Sequence, residues 1–387
     1  MRITSVEPVV VNAGMRNWIF VVVRTDQDGL EGIGEATLEF QTHAVSGAVK
    51  DLAELIVGRD PRDIERLWQI MFRHPFFKGG AVTLSALSGI DQALYDITAK
   101  DLGVPLYRLL GGLARDRVRL YDHLGGGDSS AVYNEASPSA FAERAAESRE
   151  AGFTAIKILP VGQTQGLNNA RGIAAAVDLV TATREGGGDD IEIMIDFHGR
   201  TSAAAAIELC RAVEHLRPWF AEEICAPDRP DELIKAARSI AIPVAAGERL
   251  YGRRDFLTLL DAGAIDIAQP DVCHVGGITE LRKIASLCDT FGVAMAPHNP
   301  LGPVATMVNV HLALATPNFL VQEIMRSDVP WRGDVIDADL TIDSGYALPP
   351  EKAGIGVSLD LAVAAAHPPL GERAPQWFHP DGSTADW

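Results

Sequence analysis

Residues 1–40 alternate between apolar and polar positions and carry turn signals such as Asp28-Gly29, a pattern that predicts antiparallel strands. Over residues 41–112 the period lengthens, and VSGAVKDLAELIVG, DIERLWQIMF and TLSALSGIDQALYDITAKDLG read as helices. Strands followed by helices predict a small α+β unit, bounded at residues 1–115. From about residue 117 the rhythm changes to short apolar runs separated by helix-like stretches. The runs are VRLYDH (118–123), TAIKIL (154–159), EIMID (192–196), WFAEE (219–223), PVAAGE (243–248), AIDIAQPD (264–271), GVAMAPH (292–298) and FLVQE (319–323). Ser137-Pro138 and Pro230-Asp231 mark helix starts, and Gly152, Gly263 and Gly292 mark helix stops. Eight strand–helix units predict an α/β fold, a parallel (β/α)8-type barrel over residues 116–325. The Pro- and Gly-rich segment 326–387 is expected to pack back on the N-terminal unit.

Composition narrows the function classes. The 387 residues include 52 Asp and Glu against 34 Lys and Arg, a net charge of -18, so a nucleic-acid partner is not expected. Cys210, Cys225, Cys273 and Cys288 are too scattered for a disulfide framework, and no C-x-x-C pair offers a thiolate zinc site. The stretch Thr290–Gln322 has no charged residue, but Pro297, Pro300, Pro303 and Pro317 interrupt it, with His298 and Asn299 inside. It predicts a buried strand, turn, helix and strand rather than a membrane span. The N-terminus has no long apolar core of a signal peptide, and the expectation is a cytoplasmic protein with no membrane partner. Gly125-Gly126-Gly127 lacks the strand–helix setting of a dinucleotide site.

The candidate chemistry sits at the ends of the predicted strands. Asp196, Glu222, Glu248, Asp271, His298 and Glu323 follow one another at 26, 26, 23, 27 and 25 residues, one strand–helix unit per step. In a parallel barrel such residues converge on the C-terminal mouth. Three carboxylates on successive strands, Asp196, Glu222 and Glu248, cannot all stay ionised at close range without a counter-ion, and oxygen ligands suit Mg²⁺. Such a cation would also let an acidic protein hold an anionic substrate. Asp271 and His298 on neighbouring strand ends predict a hydrogen-bonded pair in which the carboxylate orients the imidazole. His198 is expected on the face of Asp196 by period two, and Glu323, if protonated, could donate to a developing oxyanion.

The strings FFKGGAVTLSALSGIDQALYDI (76–97), IDFHGR (195–200), AAGERLYGRRDF (245–256), QPDVCHVGGITE (269–280), APHNPLGP (296–303), VQE (321–323) and GIGV (354–357) span nearly the whole chain. In this order the sequence resembles the enolase superfamily, in its mandelate racemase subgroup, and within it the acid-sugar dehydratases of the galactonate dehydratase kind. The resemblance implies a modified TIM barrel with an N-terminal α+β capping domain completed by the C-terminal segment. It implies Asp196, Glu222 and Glu248 as Mg²⁺ ligands, His298 with Asp271 as base, His198 as general acid and Glu323 as the group that stabilises an enediolate. It also implies mobile capping loops, with Asn12–Trp18 and His74–Gly80 as candidates, and a homo-oligomer. The expected reaction is removal of the C2 proton of a sugar acid and loss of the 3-hydroxyl, giving a 2-keto-3-deoxy acid.

Several positions depart from the pattern. Glu222-Glu223-Ile224 replaces a usual Glu-Glu-Pro, leaving Glu223 as an alternative ligand. Ala155-Ile156-Lys157-Ile158-Leu159 lacks a Lys-x-Lys pair, so Lys157 is either a carboxylate-binding residue or a charge at a strand edge. Met325, Trp331 and Arg332 leave the sugar undefined. Asp122 and His123 could contact a polyol or be structural, and His274, in the loop after Asp271, could face solvent. The rival readings are a racemase, epimerase or cycloisomerase on the same scaffold, and a non-catalytic barrel whose charged mouth binds a ligand.

Overall fold

The structure, a computed structural model, describes residues 1–124, 137–162, 170–325, 328–374, 376–379 and 381–385. Gly125-Gly126-Gly127 lies outside the described residues. The chain opens with an antiparallel meander of β1 (Ile3–Ala13), β2 (Arg16–Thr25) and β3 (Glu31–Glu35). Three helices follow, α1 (Thr42–Ile56), α2 (Ile64–Arg73) and α3 (Ala81–Asp101). The expected apolar–polar alternation fails in β2, where Trp18–Val23 is a continuous apolar run. Both faces of that strand are covered. Ile19, Val21 and Val23 join the core under the helices, while Trp18 and Phe20 join the core that continues into the barrel. A strand buried on two sides has no use for polar positions.

The barrel strands are β4 (Val118–His123), β5 (Ala155–Ile158), β6 (Glu192–Asp196), β7 (Phe220–Glu222), β8 (Val244–Ala246), β9 (Ile267–Ala268), β10 (Ala294–Met295) and β11 (Gln322–Ile324). Each pairs in parallel with its sequence neighbour from β4 to β10, and β11 pairs with β4. A parallel bridge between Met295 and Phe319 closes the ring. The region 290–322 forms a strand, the helix Pro303–Ala315 and a strand, and among the described residues no helix is long and apolar enough to cross a membrane. All four cysteines are buried and free.

One layer of side chains fills the barrel, and every strand segment contributes to it: Tyr121, Ala155, Met194, Phe220, Ala245, Ile267, Ala296 and Val321. Because side chains on a strand repeat every two residues, the next inward position along each strand lies one layer higher. Those positions hold His123, Lys157, Asp196, Glu222, Gly247, Gln269, His298 and Glu323. The apolar floor and the polar layer above it follow from a single periodicity.

The segment after residue 328 touches both other regions. A hairpin strand, Tyr346–Ala347, runs antiparallel to the start of β4. Leu106 N–H donates to Gly354 O, and Asp96 on α3 accepts from Ile33 N–H and Ile355 N–H. The Asn12–Trp18 connection is a tight β-hairpin rather than a loose loop: β1 and β2 pair up to Ala13 and Arg16, and Gly14 takes the positive φ of 79° that the turn requires. The C-terminal segment fastens it further. Trp331 Nε1–H donates to Asn12 O at 2.8 Å and its ring stacks on His367, while Asn17 N–H donates to the Glu372 carboxylate.

Candidate active site

At the top of the barrel, oxygen atoms of Asp196, Glu222 and Glu248 lie within 4.8 Å of one another. Asp196 and Glu222 end adjacent strands, paired at that level. Glu248 departs from the period-two layer by one residue, because Gly247 turns the chain at φ 139° and sends the next side chain inward. Asp196 Oδ2 and Glu248 Oε2 are buried and accept no hydrogen bond among the described residues. Two such anionic oxygens, close together and without a hydrogen bond, suit a hard cation, since a buried carboxylate oxygen that accepts no hydrogen bond is costly. Glu223 is not part of this cluster. Its backbone is left-handed, and its carboxylate accepts from Gly247 N–H and Arg249.

Lys157 occupies the middle of the site, buried among the protein's own carboxylates rather than standing as a charge at a strand edge. Its Nζ lies 2.7 Å from Glu222 Oε1, 2.7 Å from Glu323 Oε1 and 3.5 Å from Asp196 Oδ2. Alternation in β5 explains it: Ile156 and Ile158 face the surrounding helices, so Ala155 and Lys157 face the barrel axis. Gln269, also unanticipated, donates from Nε2 to Glu222 Oε2 at 2.8 Å. Three carboxylates, Asp196, Glu222 and Glu323, therefore surround one ammonium, with Glu248 beside Asp196 and Glu222. Burial and the neighbouring Asp196 push Glu222 well above the usual carboxylate range. Burial opposes ionisation of Glu323 as well, but Lys157 prevails and holds it at about 2. With Asn299 N–H at 2.8 Å on its other oxygen, Glu323 is a carboxylate and not the protonated donor that the sequence suggested.

Two imidazoles face this cluster from strands four places apart in an eight-membered ring, hence from opposite walls. On one side His298 Nδ1 meets Asp271 Oδ2 at 2.7 Å, leaving Nε2 to face Glu248 Oε2 at 3.3 Å. Cys273 N–H binds the other Asp271 oxygen at 2.7 Å, so the carboxylate is fixed before it orients the ring. On the other side His198 Nε2 is 3.5 Å from Asp196 Oδ2. Strand alternation does not put it there, because β6 ends at Asp196 and His198 is left-handed at φ 52°. A turn folds it back, held by its N–H to Asp196 Oδ1 at 2.8 Å.

Environment separates the two rings. Burial lowers His198 to about 3. Burial also works against a charged His298, yet Glu248 and the Asp271 hydrogen bond outweigh it and raise the ring to about 10. With the protein's own charges alone, His298 holds a proton and His198 does not. The attraction of Glu248 is the leading reason, so a cation that neutralised Glu248 would move His298 towards the neutral form a base requires.

Other sequence candidates sort differently. His123 lies in the polar layer, buried, its pKa lowered to about 4 by burial and by Lys157. Asp122 faces away and accepts from Ser148 Oγ at 2.6 Å. His274 is buried rather than solvent-facing, with Ser85 Oγ at 2.9 Å from Nδ1. Arg332 is committed to structure: it binds Asp328, Leu301 O and Thr306 Oγ1. Glu248, His298 and His198 keep partial exposure, so the site opens to solvent between the two imidazoles.

Known proteins resemble this chain in sequence and fold. A profile of the mandelate racemase / muconate lactonizing enzyme N-terminal domain matches residues 2–111, and one described as enolase C-terminal domain-like matches residues 140–363. The chain is 39% identical over 378 residues, 96% of each chain, to D-galactonate dehydratase of Ralstonia nicotianae, and equally so to that of Xanthomonas oryzae pv. oryzae. A crystal structure of a member of the enolase superfamily from Salmonella Typhimurium superposes with a TM-score of 0.89 at 31% identity, covering 95% of this chain and 99% of that one. A mandelate racemase/muconate lactonizing enzyme from Jannaschia sp. CCS1 gives a TM-score of 0.89 at 31% identity, covering 96% and 99%.

Proposed function

The chain belongs to the enolase superfamily, in its mandelate racemase / muconate lactonizing enzyme group, and from that premise we propose that it is a Mg²⁺-dependent sugar-acid dehydratase. The observation that carries the reading is the pair of unlike imidazoles on opposite walls of one carboxylate cluster. Dehydration needs one group to accept a proton and another to give one, and the relatives at 39% identity are dehydratases of galactonate. Asp196, Glu222 and Glu248 would hold the cation. When bound, it supplies a Lewis acid for the substrate carboxylate and for the charge of an enediolate.

The chain's own residues do the rest. Asp271 presents His298 with Nε2 towards the substrate, and Nε2 removes the proton from C2. Lys157, kept charged by Glu222 and Glu323, offers a donor to the oxyanion that forms at the carboxylate, so Glu323 contributes through the lysine. His198 stands on the other side to give a proton to the 3-hydroxyl; because burial keeps this ring neutral with the protein's charges alone, that role requires it to take up a proton from solvent before the C3–O bond breaks. The C2–H and C3–O bonds break, water leaves, and the enol rearranges to a 2-keto-3-deoxy acid.

A racemase or epimerase would use the same two imidazoles, but the Lys-dependent forms are disfavoured because Leu159 stands two residues beyond Lys157. Mono- and diacid sugars incubated with enzyme and Mg²⁺ in D₂O separate the readings. The expected outcome is a 2-keto acid from an aldonate of galactonate type, and loss of both C2 exchange and turnover in His298→Asn. Epimer without water loss would favour the second reading, and wild-type turnover by His298→Asn would refute the base.

A further inference from the structure

The loop that carries His298 leads into the helix Pro303–Ala315. That helix starts at Gly302, which has no side chain to cap it. Its first N–H groups still need acceptors, because no preceding turn exists to supply them. The acceptor comes from 267 residues away. Glu35 Oε1 takes the Gly302 N–H at 2.8 Å, and Oε2 takes the Ala305 N–H at 2.9 Å. Glu35 is fully buried on β3 of the capping domain and also accepts from Thr37 Oγ1 at 2.8 Å.

Gln92 on α3 extends the contact. Glu35 N–H donates to Gln92 Oε1 at 3.0 Å, and Gln92 Nε2 donates to Glu35 O at 3.0 Å. The same amide reaches Val272 O, next to Asp271, at 3.2 Å. One connected pair of capping-domain residues thus touches the chain at Val272, next to Asp271, and at Gly302, the end of the loop that carries His298. Arg16, from β2, adds a hydrogen bond to Pro300 O at 3.0 Å. A Ser or Asp at position 302 would have capped this helix locally, without burying a distant carboxylate. Taking the cap from β3 instead makes the position of the His298 loop follow the capping domain. Gly302 permits it, since a Cβ there would lie 2.4 Å from Glu35 Oε1.

We propose that Glu35, together with Gln92, is a positioning residue for the His298–Asp271 dyad, setting the base from the capping domain. The inference rests on the reading of His298 as the base. It is tested with two variants in the full chain, Glu35→Gln and Gly302→Ala. The second leaves Glu35 in place but collides with its carboxylate, and the backbone of Gly302, at φ −77°, accepts alanine. Both are expected to lower kcat on the order of 10²-fold, with C2 exchange falling in parallel, because a displacement of about 1 Å has that effect. KM and the Mg²⁺ midpoint stay within about twofold of wild type, and amide exchange over residues 299–305 accelerates. A folded Gly302→Ala with wild-type kcat, or with KM and Mg²⁺ binding impaired as much as kcat, overturns the proposal. If Glu35→Gln does not fold, Gly302→Ala decides alone. If the wild-type enzyme exchanges no C2 proton, the functional reading fails; unchanged 299–305 amide exchange in Gly302→Ala then separately refutes the positioning role.

Discussion

His311 shows how burial assigns a histidine to structure. Tyr107 N–H donates to its Nδ1 at 3.1 Å, so the proton resides on Nε2, which meets Ile355 O at 3.0 Å. A second ring proton would point at the Tyr107 N–H. Burial lowers the pKa to about 4 from an ordinary 6.5, outweighing the Ile355 O hydrogen bond that favours the charged ring. The folded value lies below the unfolded one, so this contribution to stability is complete above pH 6.5 and drains away as the pH falls towards 4. At pH 5 the loss is about 2 kcal/mol. Urea unfolding at pH 7.5 and 5.0 is expected to show a smaller pH-dependent loss in His311→Gln than in wild type; equal losses would refute the assignment. The charged residues of the site obey the same electrostatics with opposite results. Lys157 stays ionised in an equally buried place because carboxylates surround it.

Between elements, the closest packing joins β3 and α3. A Cβ at Gly34 would lie 1.9 Å from Gly89 O, and one at Gly32 would lie 2.1 Å from Ala93 O. Strand and helix backbones touch, which the spacing of EGIGE within its own strand does not reveal. Gly34→Ala should therefore destabilise by roughly 2 kcal/mol or more. Gly47, inside α1, is exposed with nothing near its Cβ position, and Gly47→Ala should stabilise by about 0.5–1 kcal/mol. Guanidinium unfolding of both variants checks the contrast, and a neutral Gly34→Ala would contradict the contact. The same packing holds Glu35, the residue next to Gly34, where it reaches the His298 loop.

Across the whole molecule, the barrel gathers charge that folding alone does not favour. Asp196, Glu222 and Glu323 converge on Lys157, with Glu248 beside the first two, in a protein already carrying a net charge of -18. A cation that binds only the folded state should stabilise it by RT ln(1 + [L]/Kd), about 2.7 kcal/mol at a hundred times Kd. Mg²⁺ is thus expected to raise the melting temperature by roughly 3 °C and EDTA to reverse it, with the shift absent in Asp196→Asn. An unchanged melting temperature at every Mg²⁺ concentration would remove the metal from the proposed function.

Strand order and the barrel were legible because they depend on periods of two and 3.6, and six residues near the strand ends were legible because an ionisable side chain recurs once per strand–helix unit, all local properties of the chain. For Lys157 the period left two readings open, a carboxylate-binding residue or a charge at a strand edge, and only the closed ring decided between them by setting carboxylates around it. Tertiary structure alone decided the rest: the left-handed return of His198, the ionised state of Glu323, the tight Asn12–Trp18 hairpin and the reach of Glu35 to Gly302. Each depends on groups far apart in sequence meeting in a medium without water, where the identity of the neighbour, not of the residue, sets charge and geometry.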